Sequence, residues 1–223
     1  MTHHDLPAPR LPRAFYDRDT EQVARDLVGC RLIQRRSDGT LSSARIVETE
    51  GYLGPHDLAC HTARGRTPRT EIMFGAPGHV YVYMVYGMHF CLNFVTEPAG
   101  HGSAVLIRAL EPAPEPALAP AWAPASEPEI HRGRGSVRPR LDGPARLTKA
   151  LGISLAHNGL DLVEGDALWV LPPDRPVDAL SAGPRVGVGY AGEWALRPLR
   201  FWETGSPWVS PVGGARVPRR AKT

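Results

Sequence analysis

Residues 79–95 read HVYVYMVYGMHFCLNFV. β-Branched and aromatic residues dominate both arms, His79 to Val85 and His89 to Val95, and Tyr86-Gly87-Met88 stands between them where the chain must turn. The stretch predicts a β-hairpin, and an antiparallel sheet can be read outward from it. Upstream, residues 30–36, the turn Ser37-Asp38-Gly39-Thr40 and the run Ala44 to Glu50 form a second hairpin. Downstream, Ala104 to Leu110 is an apolar strand, Leu160 to Leu171 reads as a hairpin around Glu164-Gly165-Asp166, and Ala195 to Trp202 as a last strand. Two helices flank these strands. One follows Asp19-Thr20 with Val23, Leu27 and Val28 on one face and ends at Gly29; the other runs from Asp142-Gly143-Pro144 to Leu151 and stops at Gly152. The fold class that follows is α+β, a single compact domain built on antiparallel sheet.

The 223 residues, 42% of them hydrophobic, suffice for one sizeable core. Residues 1–14 read as a flexible tail, 15–210 as the folded domain, and 211–223 as a basic tail. Inside the domain, EPAPEPALAPAWAPASEPE marks a Pro/Ala-rich insertion over about 112–140, because proline at that density removes amide donors and forbids helix. No stretch approaches the roughly 18 apolar residues of a membrane span, and the N-terminus lacks the apolar core of a signal peptide. A cytoplasmic protein without membrane contact is expected, associated with the nucleoid if the source is prokaryotic. Cys30, Cys60 and Cys91 are too few and too scattered for a disulfide framework and read as small buried hydrophobes.

The net charge of +3 is unevenly spread. Glu111, Glu115, Glu127 and Glu129 fall in a segment without Lys or Arg, whereas from Arg197 to Thr223 six basic residues face one acidic one. Lys149 and Lys222 are the only lysines, so arginine carries the positive charge. Guanidinium groups suit bidentate phosphate contacts, although a coding bias toward arginine gives the same count.

In Arg45-Ile46-Val47-Glu48-Thr49-Glu50, a period of two puts Glu48 and Glu50 on one strand face, their Cα atoms roughly 6.6–6.8 Å apart. Paired carboxylates serve glycosidic hydrolysis, in which one group activates water near a cationic transition state. Two glutamates at this spacing alone are more commonly a solvated strand face, since exposed glutamate is commonplace. Their company shifts the balance: Tyr52, His61, Tyr81, Tyr83, Tyr86, His89, Phe90 and Asn93 follow within about forty residues, and stacking on a nucleobase is worth roughly 1–3 kcal/mol per base. Some of these rings, Tyr81 or Tyr83 among them, can equally pack the sheet. Tyr86 lies at the hairpin tip, where it either projects as a wedge into a base stack or folds back on its own hairpin. His56, Cys60 and His61 have no metal-binding spacing, so no metal is expected. Gly187-Val188-Gly189-Tyr190-Ala191-Gly192 lacks a strand-loop-helix frame and reads as tight backbone packing.

ARIVETEGYLGPHDLACHTARGRTPR, MFGAPGHVYVYMVYGMHFCLNFV, VLIRALEP, GPARLTKALGI, PRVGVGYAGEWALRPLRFW and GSPWVS, in this order and spanning most of residues 15–210, resemble the alkyladenine (3-methyladenine) DNA glycosylase family, the mixed α/β rather than the helix-hairpin-helix type. The resemblance implies a curved antiparallel sheet with a protruding hairpin, and a monomer that flips damaged purines out of double-stranded DNA, hydrolyses the N-glycosidic bond and uses no cofactor. It makes Glu50 the general base and puts Arg108 beside it to help hold water and the target nucleotide. It makes Tyr52, His61 and Tyr83 the base pocket, Asn93 the residue that crowds the exocyclic amine of guanine, and Tyr86 the side chain inserted into DNA. Glu48 receives no role from it, and Gly51 stands where alanine is common in the family. Independently, Schiff-base strand cleavage needs an amine, and Lys149 lies in GPARLTKALGI away from the pocket residues, which favours a monofunctional hydrolase. A lesion binder without catalysis and a hydrolase of free nucleosides are the alternatives. The first does not need Glu50, and the second leaves Tyr86 unexplained.

Overall fold

A computed structural model describes residues 9–112 and 140–211. Residues 1–8, nearly all of the Pro/Ala-rich insertion and the basic tail after residue 211 lie outside the described residues. The described chain forms one antiparallel sheet of β1 (Arg31–Arg35), β2 (Leu41–Tyr52), β3 (Val80–Val85), β4 (His89–Thr96), β5 (Ser103–Pro112), β6 (Leu168–Leu171), β7 (Leu180–Gly183) and β8 (Arg200–Glu203). Its order is β3-β4-β5-β2-β1-β6, with β8 on β2 and β7 on β8. The sheet curls into a half-barrel, with short helices around it, as the α+β reading requires.

The centre of the sheet is β2. One of its edges carries β5 over most of its length, and the other is divided between β1, paired with residues 41–45, and β8, paired with 48–50. Glu48, Thr49 and Glu50 are therefore flanked by backbone on both sides. The β2–β5 register slips between Ile46 and Glu48 and again between Glu48 and Thr49, leaving first Val47 and then Arg108 without an opposite residue. The slips change which face each residue takes. Ala44 and Ile46 join the main core, and unbroken alternation would send Glu48 and Glu50 there too. Instead Thr49 and Gly51 take the helix-facing side: Thr49 Oγ1 donates to Ala24 O at 2.7 Å, and Gly51 lies against Ala24 and Thr20. Glu48 and Glu50 thus turn together to the opposite face.

That core face is covered by α2 (Thr20–Leu27), capped by the Asp19 carboxylate on Gln22 N at 2.9 Å, which buries Val23, Ala24 and Leu27. α3 (Pro144–Leu151) packs on β4 and β5, with Pro144 in its first turn and Gly152 ending it at φ 66°. Val80, Val82, Leu92, Phe94, Val105 and Ile107 supply the sheet side of this core, so Tyr81, Tyr83, Cys91 and Asn93 take the other face by simple alternation.

Three expectations are corrected. Leu160 to Leu171 is not a hairpin: the Asp161 carboxylate accepts from Val163 N and Glu164 N and from Arg13 Nη2, winding this stretch into turns, while Leu168–Leu171 pairs with β1. The last strand is Arg200–Glu203 rather than Ala195 to Trp202, since Gly189–Ala195 is 3-10 helical and Pro198 has no amide to give a ladder. The N-terminal tail is shorter than 14 residues. Leu11 is buried with its amide on Val170 O at 2.9 Å, and α1 (Arg13–Tyr16) is already part of the fold.

Candidate active site

On the sheet face opposite α2 lies a cleft of about 560 Å³. Beneath its floor, behind cleft-lining Arg108, Tyr52 and Val186, lies the carboxylate pair. Neither Glu48 nor Glu50 has exposed surface, and Arg108 joins them, with Nε 2.9 Å from Glu48 Oε1 and Nη1 3.3 Å from Glu50 Oε1. Glu48 is occupied on both oxygens: Arg200 Nε donates to Oε1 at 2.6 Å, Ser210 Oγ to Oε1 at 2.8 Å and Ser210 N to Oε2 at 2.6 Å. Glu50 accepts from Val186 N at 2.7 Å and from the Tyr52 hydroxyl at 2.8 Å. Burial pushes the Glu50 carboxyl above the usual carboxylate range, against the opposing pull of Arg108, the Val186 amide and Tyr52. Burial works against the charge of Arg108 as well, but Glu50 and Glu48 more than offset it and keep the guanidinium charged.

The walls come from the tyrosine face of β3, from residues 52–61 and from the segment after β7. His61 Nδ1 and the Tyr81 hydroxyl are 2.9 Å apart, and the His61 ring meets Tyr83 edge-on at 4.5 Å. Burial, with Arg69 and Arg64 nearby, holds the His61 imidazole down at about 4, so it is neutral at pH 7. Asn93, opposite Tyr81 in the register, spends its amide protons on Tyr81 O at 3.0 Å and Cys91 O at 3.4 Å. Tyr52, His61, Tyr83, Asn93 and Arg108 all line the cleft, so one cavity gathers these expected residues around buried Glu50. Tyr81 lines it too, yet is almost wholly buried and packs with Cys60, Met73 and Val95.

Tyr86 stands at the rim, 87% exposed. It does not fold back on its hairpin. Tyr86 and Gly87 have φ of 53° and 69° and Met88 N reaches Val85 O at 3.3 Å, the pattern of a type I′ turn, which a tyrosine enters only with strain. Met84 and Met88 are exposed beside it.

The sequence profile described as Methylpurine-DNA glycosylase (MPG) matches residues 14–207. The chain belongs to the methylpurine-DNA glycosylase family. Proteins named 3-methyladenine DNA glycosylase are similar to it over nearly their whole length. One from Myxococcus xanthus (strain DK1622) is 47% identical over 212 residues, covering 93% of this chain and 98% of its own. One from Methanocella arvoryzae is 47% identical over 210 residues, covering 91% and 96%. One from Legionella pneumophila (strain Corby) is 43% identical over 203 residues, covering 90% and 98%. As a member of this family the protein is a DNA-repair glycosylase, a hydrolase acting on N-glycosyl bonds, and DNA is its substrate.

This methylpurine-DNA glycosylase also has site features that its sequence hides. The stretch 186–190 is cleft wall, not tight packing: a Cβ at Gly187, Gly189 or Gly192 would meet nothing within 4 Å, and positive φ is what Gly187 and Gly192 supply. Tyr190 lines the cleft while 67% exposed, with its hydroxyl on Ala59 O at 3.3 Å. The Val186 donor is a main-chain amide and has no sequence signature. Glu48, singled out as half of the carboxylate pair but left without a role, is the anchor of Arg108 and Arg200, as an inward glutamate on a central strand needs a cation.

Proposed function

We propose that this glycosylase, acting as a monomer, flips an alkylated purine out of duplex DNA into the cleft and hydrolyses its N-glycosidic bond with water activated by Glu50. The carrying observation is that Glu50 lies fully buried directly behind the cleft surface, in contact with three cleft-lining groups, Tyr52, Val186 and Arg108. A carboxylate so desolvated takes a proton more readily than one in water, which suits a general base. Glu48, whose donors besides Arg108 are Arg200 and Ser210 outside the cleft lining, is a poor rival and serves to fix Arg108.

In the step itself, water oxygen bonds to C1′ and gives a proton to Glu50 while the C1′–N bond breaks. Its electron pair leaves with the base, and a methylated cationic purine departs neutral. An abasic site remains. Lys149 is not among the cleft-lining residues, in keeping with hydrolysis rather than Schiff-base cleavage of the strand. Tyr52, His61 and Tyr83 hold the flipped base, and neutral His61 adds no charge against a cationic purine. Asn93 excludes unmodified guanine by crowding its exocyclic amine, and Tyr86 fills the place the base has left.

The test is single-turnover release from duplexes carrying one 3-methyladenine, 7-methylguanine, ethenoadenine or hypoxanthine, with wild type beside Glu50→Gln. Release by wild type, slowed roughly 10²–10⁴-fold in the variant with lesion binding retained, is the expected result. Binding without release by either protein would make the chain a lesion binder, and undiminished release by Glu50→Gln would put the base elsewhere.

A further inference from the structure

We propose that the buried Arg185–Asp57 pair is a positioning device for catalysis, holding the main-chain amide of Val186 on the Glu50 carboxylate. The proposal rests on the reading of Glu50 as general base. Neither side chain of the pair has exposed surface. Arg185 gives both terminal nitrogens to Asp57, Nη2 lying 2.8 Å from Oδ1, and its Nη1 also donates to Gly51 O at 2.8 Å, between Glu50 and Tyr52. Its Nη2 reaches Trp194 O at 3.2 Å, and the guanidinium lies 4.8 Å from the centre of the Tyr52 ring. Asp57 in turn accepts from Leu53 N at 3.1 Å and Ala59 N at 3.0 Å. One ion pair thereby fastens three pieces of the cleft: the end of β2, residues 53–59 and the segment 185–194. The residue after Arg185 is Val186, whose N–H meets Glu50 Oε1 at 2.7 Å.

Stability is a poor explanation for this pair. Desolvating two charges offsets most of their attraction, and Arg185 Nε is buried without a hydrogen-bond partner, which adds to the cost. Position is what the pair supplies. Gly187, with φ of 79°, follows Val186 directly and a Cβ there would meet nothing within 4 Å, so no side chain at Gly187 helps to hold the amide.

The amide contact favours the ionised form of Glu50. Loosening it raises the proton affinity of the base and moves the acid limb of base release to higher pH. The other groups facing Glu50 are Glu48 and Tyr52 on its own strand, Arg108 on β5, Tyr83 on β3, Cys91 on β4, Arg185 itself and, through Glu48, Arg200 on β8. On the far side of β2, α2 makes its approach through Ala24 and Thr20.

The experiment is the pH profile of single-turnover release from a 3-methyladenine duplex, with Asp57→Asn, Arg185→Lys and Glu50→Gln beside wild type in the full chain. The expected result for Asp57→Asn and Arg185→Lys is an acid limb displaced upward by about one pH unit, roughly tenfold slower release on the acid side, a smaller loss on the alkaline plateau and unchanged affinity for the lesion duplex. A limb that superimposes on wild type overturns the proposal, even if the melting temperature falls, because the pair is then only structural. Should Asp57→Asn fail to fold, Arg185→Lys, which keeps the charge and loses the fork, decides alone. Release by Glu50→Gln at the wild-type rate would remove the general base itself. An inactive Glu50→Gln with an unmoved Asp57→Asn limb removes only the positioning role.

Discussion

Beneath the floor of the cleft Glu48 and Glu50 have no exposed surface and are tied to Arg108, Arg200, Ser210, Tyr52 and Val186. At its rim, Tyr86 is almost wholly exposed, in a strained turn, flanked by exposed Met84 and Met88. Both places depart from regular sheet geometry, the floor through two register slips and the rim through positive φ, yet the departures do opposite things. The slips drive charge inward, where many partners share it. The turn drives an aromatic ring outward, where its surroundings in the free protein are mainly solvent. Energetically the floor is a network of coupled groups, and the rim is a side chain that should act independently of it.

The largest effect separates function from stability within the floor. Glu50→Gln should abolish most release, yet its melting temperature at pH 7 should be no lower than that of wild type. The proton affinity of Glu50 is raised in the folded state, so its contribution to stability is present at low pH and lost as pH rises through the folded value. Glutamine escapes that loss. Glu48→Gln should do the reverse and leave Arg108 and Arg200 without their shared anion. About 3 kcal/mol of destabilisation is expected, a fall of roughly 6–12 °C in melting temperature, with slower release as Arg108 loosens. An unchanged melting temperature would break the network reading.

At the rim, Tyr86→Asn should weaken lesion-duplex binding by about 1–3 kcal/mol while leaving the melting temperature unchanged or slightly raised, since asparagine accepts positive φ more easily. Combined with Glu48→Gln, its effects should add within about 0.5 kcal/mol; coupling larger than that would join the two regions. The smallest effect is expected on the wall between them. Asn93→Ala loses two amide bonds to buried carbonyls, costing about 1 kcal/mol, and should permit slow release of unmodified guanine, measurable with an undamaged duplex.

The hairpin of residues 79–95 was legible because both arms are rich in β-branched and aromatic residues around a turn, and α2 and α3 because their caps, Asp19, Pro144 and Gly152, are local signals. The gathering of Glu50, Tyr52, His61, Tyr83, Asn93 and Arg108 followed from the resemblance, with period two accounting for the shared face of Glu48 and Glu50. Alternation alone, however, would have put that face in the core. What restores it is a pair of slips that compensate one another, and nothing in ARIVETE announces them. β7 was missed because Leu180–Gly183, LSAG, has neither bulk nor alternation. The wall at 186–190 was misread because its glycines serve turns and open space rather than close contact.

The segment mistaken for a hairpin arm has another consequence. β3 is the edge of the sheet, and its outer rim is sealed by the stretch 158–162: Val80 N on Leu160 O, Gly159 N on Val80 O, Leu162 N on Gly78 O, and Val82 N on the Asn158 side chain. These bonds stop at Val82. An apolar, tyrosine-rich edge left bare along its length would invite a second copy to add a strand, the first step of aggregation. Here the sheet is shielded from self-association along the inner half of the strand, and the shield ends just short of the hairpin tip that carries Tyr86.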